Sequence, residues 1–500
     1  MSVFKSIKKL LQHSAVYGVG HIVTRSINFL LLPLYTNVFP RQEFGVVGIL
    51  FTYIAIMTII YTYGLDSAFF RFYILEDKNS DRRLIFSTAF YTILFSSIIM
   101  TAALILAAKN LTGWLFSSES LQLGIPIPLL ICMSAGILFF DALSFLPFLI
   151  LRAEQKPIPF VILKFLNVLF NVGGNILFLL ILDRGIQGVF FANLCASFLT
   201  FVFMLPLIFR HVGLVFSRPL LRDLFSFALP YIPSTLAVVI MDTIDRPLVE
   251  RLIGLEAAGL YNAGVKLGMF MSLFVAAFRF AWHPFFLSTS KQENAKEIFS
   301  RIFTYVLFAC LGVFLLLSIY LRDLTALKIH GYSLIGREFW DGMSIVPVVL
   351  LAYVFYAAYL NFLIGIYLYK KTKYLPPITV AGMIGNLAAN FILIPHLGIM
   401  GAAWARLIAY VIMAVCLYQV ARKLYPVDYE WGRILKLIGV VALAFFVGMS
   451  PTVQSSFWLK TAVVVLIPFM LLLTGFFQKS EIQRLKNLPW RFTGPWKKSS

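Results

Sequence analysis

The stretch GIQGVFFANL at residues 185–194 returns as GIMGAAWARL at residues 398–407, sharing the pattern GIxGxxxAxL at an offset of 213. At an offset of 215, NVGGN (171–175) falls on NLAAN (386–390). At 214, Tyr17, Pro33, Leu34 and Gly45 fall on Tyr231, Pro247, Leu248 and Gly259. Any two apolar helices align to a degree, so one match decides little. Three matches at nearly one offset, in corresponding parts of the chain, predict an internal repeat.

The repeated unit is membrane-spanning. Of the 500 residues, 60% are hydrophobic and 13% charged, where a soluble domain carries about 25% charged residues. Apolar runs of about 20 residues, enough to cross roughly 30 Å of hydrocarbon, recur throughout. The ten-residue alternating segments of a membrane barrel are missing. The expected fold is therefore an all-α polytopic membrane protein of about fourteen transmembrane helices. Their approximate limits are 13–38, 43–74, 84–107, 125–151, 158–182, 188–209, 224–249, 256–285, 299–321, 341–369, 376–396, 398–421, 433–450 and 457–477. Six spans per unit make the repeats parallel, related by an axis along the membrane normal. The expected domains are an N-lobe over 1–213 (spans 1–6), a C-lobe over 214–427 (spans 7–12), and 428–500 with two extra helices and a basic tail. Two lobes about a central axis suit alternating access, with substrate held between them near the midplane.

The net charge of +20 is a topology signal rather than a nucleic-acid footprint. With loops alternating sides, 28 Lys and Arg fall on the side shared by both termini and eight on the other. The positive-inside rule then puts both termini in the cytoplasm. The basic N-terminal segment leads into a long span without a small-residue cleavage site, so no cleavable signal is expected. Cys132, Cys195, Cys310 and Cys416 lie within spans without a CxxC pattern, which predicts neither a metal site nor a disulfide framework. HExxH, GxxxxGK[ST] and GxSxG are absent, and no soluble domain is present to hydrolyse ATP.

The chemistry then rests on polar residues inside spans. A charge at the centre of a membrane helix costs roughly 2.5–3.5 kcal/mol on insertion scales, so such residues usually face a cavity or pair with one another. Ten stand out: Arg25, Asp66, Asp141, Lys164, Asp242, Asp245, Arg246, Lys266, Arg279 and Arg406. In span 1, Ser14, Tyr17, His21, Arg25 and Asn28 are spaced 3, 4, 4 and 3, which makes one continuous stripe on a helix. The repeat carries Tyr17 onto Tyr231, His21 onto Thr235 and Asn28 onto Asp242. In VVIMDTIDRPLV (238–249), Asp242, Asp245 and Arg246 share one face, so this stretch is expected to line the same cavity as Arg25. Arg246 has a plainer reading as well, pairing with Asp242 one turn back or snorkelling to the span end.

Tyr17, His21, Arg25, Asn28, Arg246, Lys266 and Arg279 are the expected substrate-binding residues. Asp242, Asp245, Asp66 and Asp141 are the expected coupling or gating residues. Asp66, in YGLDSAFFRFY (63–73), suits a cytoplasmic gate or a pair with Arg71, and Asp141 is expected to pair across helices. Lys164 suits snorkelling, while Arg406 falls opposite Asn193 in the repeat. His21 and His283 read as structural hydrogen bonders or proton carriers. Prolines 33, 230, 233, 247 and 347 are read as kinks.

The segments INFLLLPLYTNVFPRQEFGVVGI (27–49), YGLDSAFFRFY (63–73) and LEAAGLYNAGVKLG (255–268) resemble the Wzx-type, or polysaccharide transport, branch of the multidrug/oligosaccharidyl-lipid/polysaccharide exporter superfamily. The resemblance covers nearly the whole chain. It implies a MATE-like fold in the bacterial cytoplasmic (inner) membrane and a flippase rather than an enzyme. Such a protein carries undecaprenyl-diphosphate-linked oligosaccharide, an O-antigen, capsule or exopolysaccharide repeat unit, to the periplasmic leaflet. The resemblance implies no cofactor beyond a coupling H+ or Na+. Expected partners are the lipid-linked oligosaccharide, membrane lipid, glycosyltransferases and a polysaccharide polymerase, with no nucleic acid. By analogy with lipid II flippases, 433–477 would hold the lipid tail.

The ten intramembrane charges sum to +2, which suits a diphosphate in a low-dielectric site. Asp242 and Asp245 would hold a coupling cation, titrate during the cycle or neutralise Arg246 and Lys266. A cation-coupled multidrug exporter of the same fold and a lipid II flippase are the alternatives. A membrane polysaccharide polymerase or ligase fits less well, because the longest outer loop, about 322–341, has only some 20 residues.

Overall fold

Among the described residues, ten helices are long and apolar enough to cross a membrane, and two bent pairs bring the number to twelve. The computed structural model describes residues 31–478 apart from 76–78, 291, 330–331 and 370. The expected first span lies mostly outside them and ends in α1 (Leu32–Val38). The second span is α2 (Arg41–Thr62) continued by α3 (Leu65–Leu75). Then come α4 (Asn79–Leu106), two short helices α5 (Ala108–Leu115) and α6 (Ser118–Leu121), and the spans α7 (Ile127–Ala153), α8 (Pro157–Asn175) and α9 (Gly185–His211).

The second half opens with a broken span, α10 (Arg218–Ala228), α11 (Ile232–Thr243) and α12 (Asp245–Ile253), bent by 50° between α10 and α11. The next is bent by 40° between α13 (Leu255–Gly268) and α14 (Phe270–Thr289). Single helices follow: α15 (Ala295–Ile319), α16 (Val346–Phe362), α17 (Leu375–Leu397), α18 (Ile399–Leu424), α19 (Trp431–Gly448) and α20 (Phe457–Leu473). The 17 residues of α20 reach only about 25 Å at 1.5 Å per residue, short of the hydrocarbon thickness. Among the described residues, length and composition thus support ten to twelve spans; with most of the expected first span outside them, the count of fourteen is not confirmed.

One face of the bundle carries the connection between α15 and α16, with a two-strand hairpin pairing Lys328–Ile329 with Tyr332–Ser333. We call it the loop face. The opposite basic face carries the turns after α7 and α9.

The repeated sequence signals have physical causes. Gly185 (φ 53°) and Gly398 (φ 59°) occupy the left-handed region in the turns that start α9 and α18, a conformation glycine adopts without steric cost. Three residues on, a Cβ at Gly188 would press to 3.0 Å against Phe178 Cβ, and one at Gly401 would run into the Leu393 carbonyl. The two asparagine pairs form the same ladder. Asn175 Nδ2 donates to the Asn171 carbonyl at 2.8 Å, and Asn390 Nδ2 to the Asn386 carbonyl at 2.9 Å.

The helices divide into two compact units. The larger runs to Phe299 and resumes over Leu321–Val427. Its core is built from apolar side chains such as Phe44, Tyr61, Phe190, Tyr261 and Tyr410, each almost wholly buried. The smaller comprises Ser300–Tyr320 and the chain from Asp428. Within it, Glu430 collects the Thr304 hydroxyl at 2.7 Å and the Arg433 guanidinium at 2.9 Å.

Candidate functional site

The break between α11 and α12 builds the site. Pro247 has no N–H and cannot donate to the Thr243 carbonyl four residues back. That carbonyl instead accepts from the Thr52 hydroxyl of α2 at 3.2 Å. The Asp242 carbonyl accepts from Arg406 Nη2 at 2.8 Å. Both freed backbone groups are satisfied from other helices, as an apolar interior requires.

Asp245 begins α12 at the centre of a buried network. Its Oδ2 accepts from Arg406 Nε at 3.0 Å, Arg406 Nη2 at 2.7 Å and the Tyr261 hydroxyl at 2.7 Å. Its Oδ1 accepts from Asn390 at 3.0 Å and Asn386 at 3.3 Å. The side chains of Asp245 and Arg406 are both 0% exposed. Tyr410 donates its hydroxyl to Asp242 Oδ1.

Two further cations stand beside this pair. Arg246, 7% exposed, donates Nε–H to Asn262 Oδ1 at 3.0 Å. Lys266, also 7% exposed, holds its Nζ 5.2 Å from the Tyr35 ring centre and 5.0 Å from that of Phe44. Among the described residues no carboxylate lies within ion-pair distance of either. By formal charge, three basic side chains and two carboxylates leave the cluster at +1.

The cluster adjoins a closed seam between α2 and α13. A Cβ at Gly45 would lie 2.6 Å from the Leu255 carbonyl oxygen, one at Gly48 2.8 Å from Asn262 Cγ, and one at Gly259 would overlap the Arg41 carbonyl. Small residues let these backbones touch. Polar ties rim the seam on the loop face. Gln42 donates to Glu256 at 2.6 Å, Asn37 to the Ser333 carbonyl at 2.7 Å, and Glu250 accepts from Ser117 N–H at 2.8 Å and the Ser120 hydroxyl at 2.7 Å.

Of the residues singled out from sequence, Asp242, Asp245, Arg246 and Lys266 thus come together, joined by Arg406. Arg246 does not pair with Asp242: its Nε–H goes to Asn262, and the Asp242 carboxylate accepts from Tyr410, although Ile244 between them keeps helical dihedrals. Arg279 lies in α14 beyond the bend, within electrostatic reach of Tyr367 and apart from the cluster. Asp141 stands near Ser197 and faces Lys164, whose Nζ stands 3.9 Å from the Phe148 ring centre. Asp66 is exposed at the start of α3, and Arg71 lies 4.8 Å over Phe227 rather than on Asp66. Tyr17, His21, Arg25 and Asn28 lie outside the described residues, as does the side chain of His283.

Sequence reasoning did not select Tyr261, Asn262, Asn386, Asn390 or Tyr410. The asparagines carried a signal, since Asn386 and Asn390 matched Asn171 and Asn175 in the repeat. Tyr261 and Asn262 lie within LEAAGLYNAGVKLG (255–268), where nothing marked their role, and Tyr410 carried no signal in a chain with 22 tyrosines.

In the smaller unit, an apolar groove of about 150 Å³ runs between α15, α19 and α20, lined by Phe308, Leu315, Val441, Val464, Pro468 and Leu471.

Residues 10–290 match the model of a family described as polysaccharide biosynthesis protein. A Haemophilus influenzae protein of the Lsg locus is 21% identical over 427 residues, covering 79% of this chain and 95% of its own. Among solved structures, the lipid II flippase MurJ in an inward closed conformation superposes with a TM-score of 0.74 at 15% identity, over 95% of this chain and 100% of its own. An inward-facing multidrug resistance MATE transporter of the MOP superfamily superposes with a TM-score of 0.65 at 14% identity, over 80% and 94%.

Proposed function

Because this chain belongs to the polysaccharide biosynthesis protein family and has the fold of the MOP exporters, we propose that it flips a polyprenyl-diphosphate-linked oligosaccharide across the membrane. The observation that carries the proposal is the buried cationic cluster. Arg246 and Lys266 are nearly sealed from water, yet no carboxylate within ion-pair distance among the described residues neutralises them. A diphosphate supplies the missing charge, and ionised hydrogen bonds in such a site are roughly twice as strong as neutral ones. A cationic drug meets the opposite field.

The chain works by alternating access between the two lobes, 1–213 and 214–427. The loop face, poor in Lys and Arg, is periplasmic, and both termini are cytoplasmic. The closed seam of α2 and α13 supports a resting state that draws its cargo from the cytoplasmic leaflet. The apolar groove of the smaller unit suits the polyprenyl tail, which stays in contact with lipid. Arg25, Tyr17, His21 and Asn28 complete the cavity from the first span. Glycosyltransferases and a polymerase act before and after the flip. The MurJ likeness favours lipid II as a second cargo, because it shares the polyprenyl diphosphate.

The test is native mass spectrometry of the protein gently extracted from its own membrane, beside Arg246→Gln and Lys266→Gln. Each lost charge-assisted bond is expected to weaken retention of a polyprenyl-diphosphate sugar about 10–100-fold. The mass of the retained lipid separates an oligosaccharide repeat unit from lipid II. Retention unchanged in both variants would remove the diphosphate from this cluster.

A further inference from the structure

Asn262 divides its amide between the two lobes. Its Oδ1 accepts from Arg246 of the C-lobe at 3.0 Å, while its Nδ2 donates to the Phe44 carbonyl of α2 at 3.2 Å. Only 1% of Asn262 is exposed, so neither bond is readily exchanged for water. Within α2 the Phe44 carbonyl is the acceptor expected for the N–H of Gly48, four residues on. Gly48 is also where a Cβ would stand 2.8 Å from Asn262 Cγ. The missing side chain is what lets the amide reach the α2 backbone. Lys266 repeats the arrangement one turn along α13, its ammonium lying over Tyr35 and Phe44, both contributed by the N-lobe.

We infer that Asn262 is a positioning residue that makes opening of the seam conditional on an anion at Arg246. This rests on the diphosphate reading above. With no anion present, the guanidinium holds the Asn262 amide oxygen and so fixes the amide against α2. A phosphate oxygen is the stronger acceptor for Arg246 Nε–H. Once it takes that proton donor, Asn262 is held on one side only and can rotate away from Phe44. The same anion draws Lys266 off its two N-lobe rings. The cations that recognise the cargo therefore also tie the lobes, and an empty carrier keeps its loop face shut. A two-site coupling of this kind shifts the open-to-closed ratio by about 5–150-fold.

The experiment places nitroxide spin labels at Gln122→Cys and Glu338→Cys, both exposed on the loop face and clear of the seam, after replacement of the four native cysteines. Distances are read by double electron–electron resonance in nanodiscs with inorganic pyrophosphate as the probe, and its binding is measured separately by calorimetry. Pyrophosphate is expected to lengthen the wild-type distance. Asn262→Ala is expected to show the lengthened population without pyrophosphate and, because the coupling is reciprocal, to bind pyrophosphate more tightly than wild type, by up to about 5–150-fold. Gly48→Ala, which displaces the amide from the α2 side and leaves α13 untouched, is expected to do the same and guards against a folding defect at 262. A short distance in both variants overturns the latch, as does pyrophosphate binding that leaves the wild-type distance unchanged. No pyrophosphate binding at millimolar concentration counts against the diphosphate reading instead, and the two variants still decide whether Asn262 holds the seam.

Discussion

Arg406 and Asp245 form an ion pair with Nη2 and Oδ2 2.7 Å apart and no exposure to solvent on either side. It joins α12 to α18 and, through Asn386 and Asn390, to α17. Breaking a buried pair from one side leaves an uncompensated charge, at about 3–5 kcal/mol. Arg406→Met is expected to lower the thermal unfolding temperature in detergent sharply. Asp245→Asn/Arg406→Met is expected to recover most of the loss, which a double-mutant cycle would measure. Equal losses in the single and double variants would show that packing, not charge, matters here.

Both Asp245 oxygens are occupied by donors of the protein. The position of its counter-cation is filled by the chain itself. Exchanging Na+ for K+ is therefore expected to leave wild-type unfolding unchanged. Arg406→Ala opens a guanidinium-shaped space beside a carboxylate, and millimolar guanidinium is expected to raise its unfolding temperature without stabilising the wild type. A wild-type protein stabilised by sodium would locate an ion elsewhere.

The seam supplies a steric prediction. A methyl at Gly45 would meet the Leu255 carbonyl oxygen at 2.6 Å, and the atom it meets is backbone. Gly45→Ala is expected to disfavour the closed loop face by about 1–3 kcal/mol, in the range of overpacked cores. A cysteine placed at Thr52 should then react faster with a membrane-impermeant thiol reagent. Unchanged labelling would mean that α2 and α13 adjust without parting.

On the basic face, Glu154 accepts from Lys156 Nζ at 2.7 Å, His211 Nε2 at 3.1 Å and the Tyr73 hydroxyl at 3.1 Å. Burial pushes its carboxyl up, but the hydrogen bonds and charges of Lys156 and His211 outweigh it and hold the group below its ordinary 4.5. The stabilisation is present in full above that ordinary value and is lost as pH falls through the lower folded one. Glu154→Gln is expected to cost about 1 kcal/mol or less at neutral pH, given its partial exposure. The gap to wild type should shrink below about pH 4. A gap independent of pH would assign the effect to packing.

The spans were legible because hydrocarbon thickness writes itself into sequence as apolar runs, and the repeat was legible through Gly188 and Gly401, where two helices cross too closely for a side chain. The carboxylates were legible as misfits in apolar helices. Their partners were not. Helical spacing suggested Arg246 for Asp242, but Arg246 turns to Asn262 on another helix, and Arg406 arrives from 161 residues away in sequence. Asn262 lay in plain sight within LEAAGLYNAGVKLG, but its role did not. It is an ordinary residue whose importance lies in what stands opposite it, a glycine 214 positions earlier in the chain.

The glycine contacts at Gly45, Gly48 and Gly259 also bear on the energy balance of the cell. A polar chamber in a membrane is a leak unless one end is sealed, and a seal must leave no column of water. Backbone laid against backbone leaves no such column. On the proposed flippase reading, a carrier resting with this seam shut offers ions no continuous water path between α2 and α13.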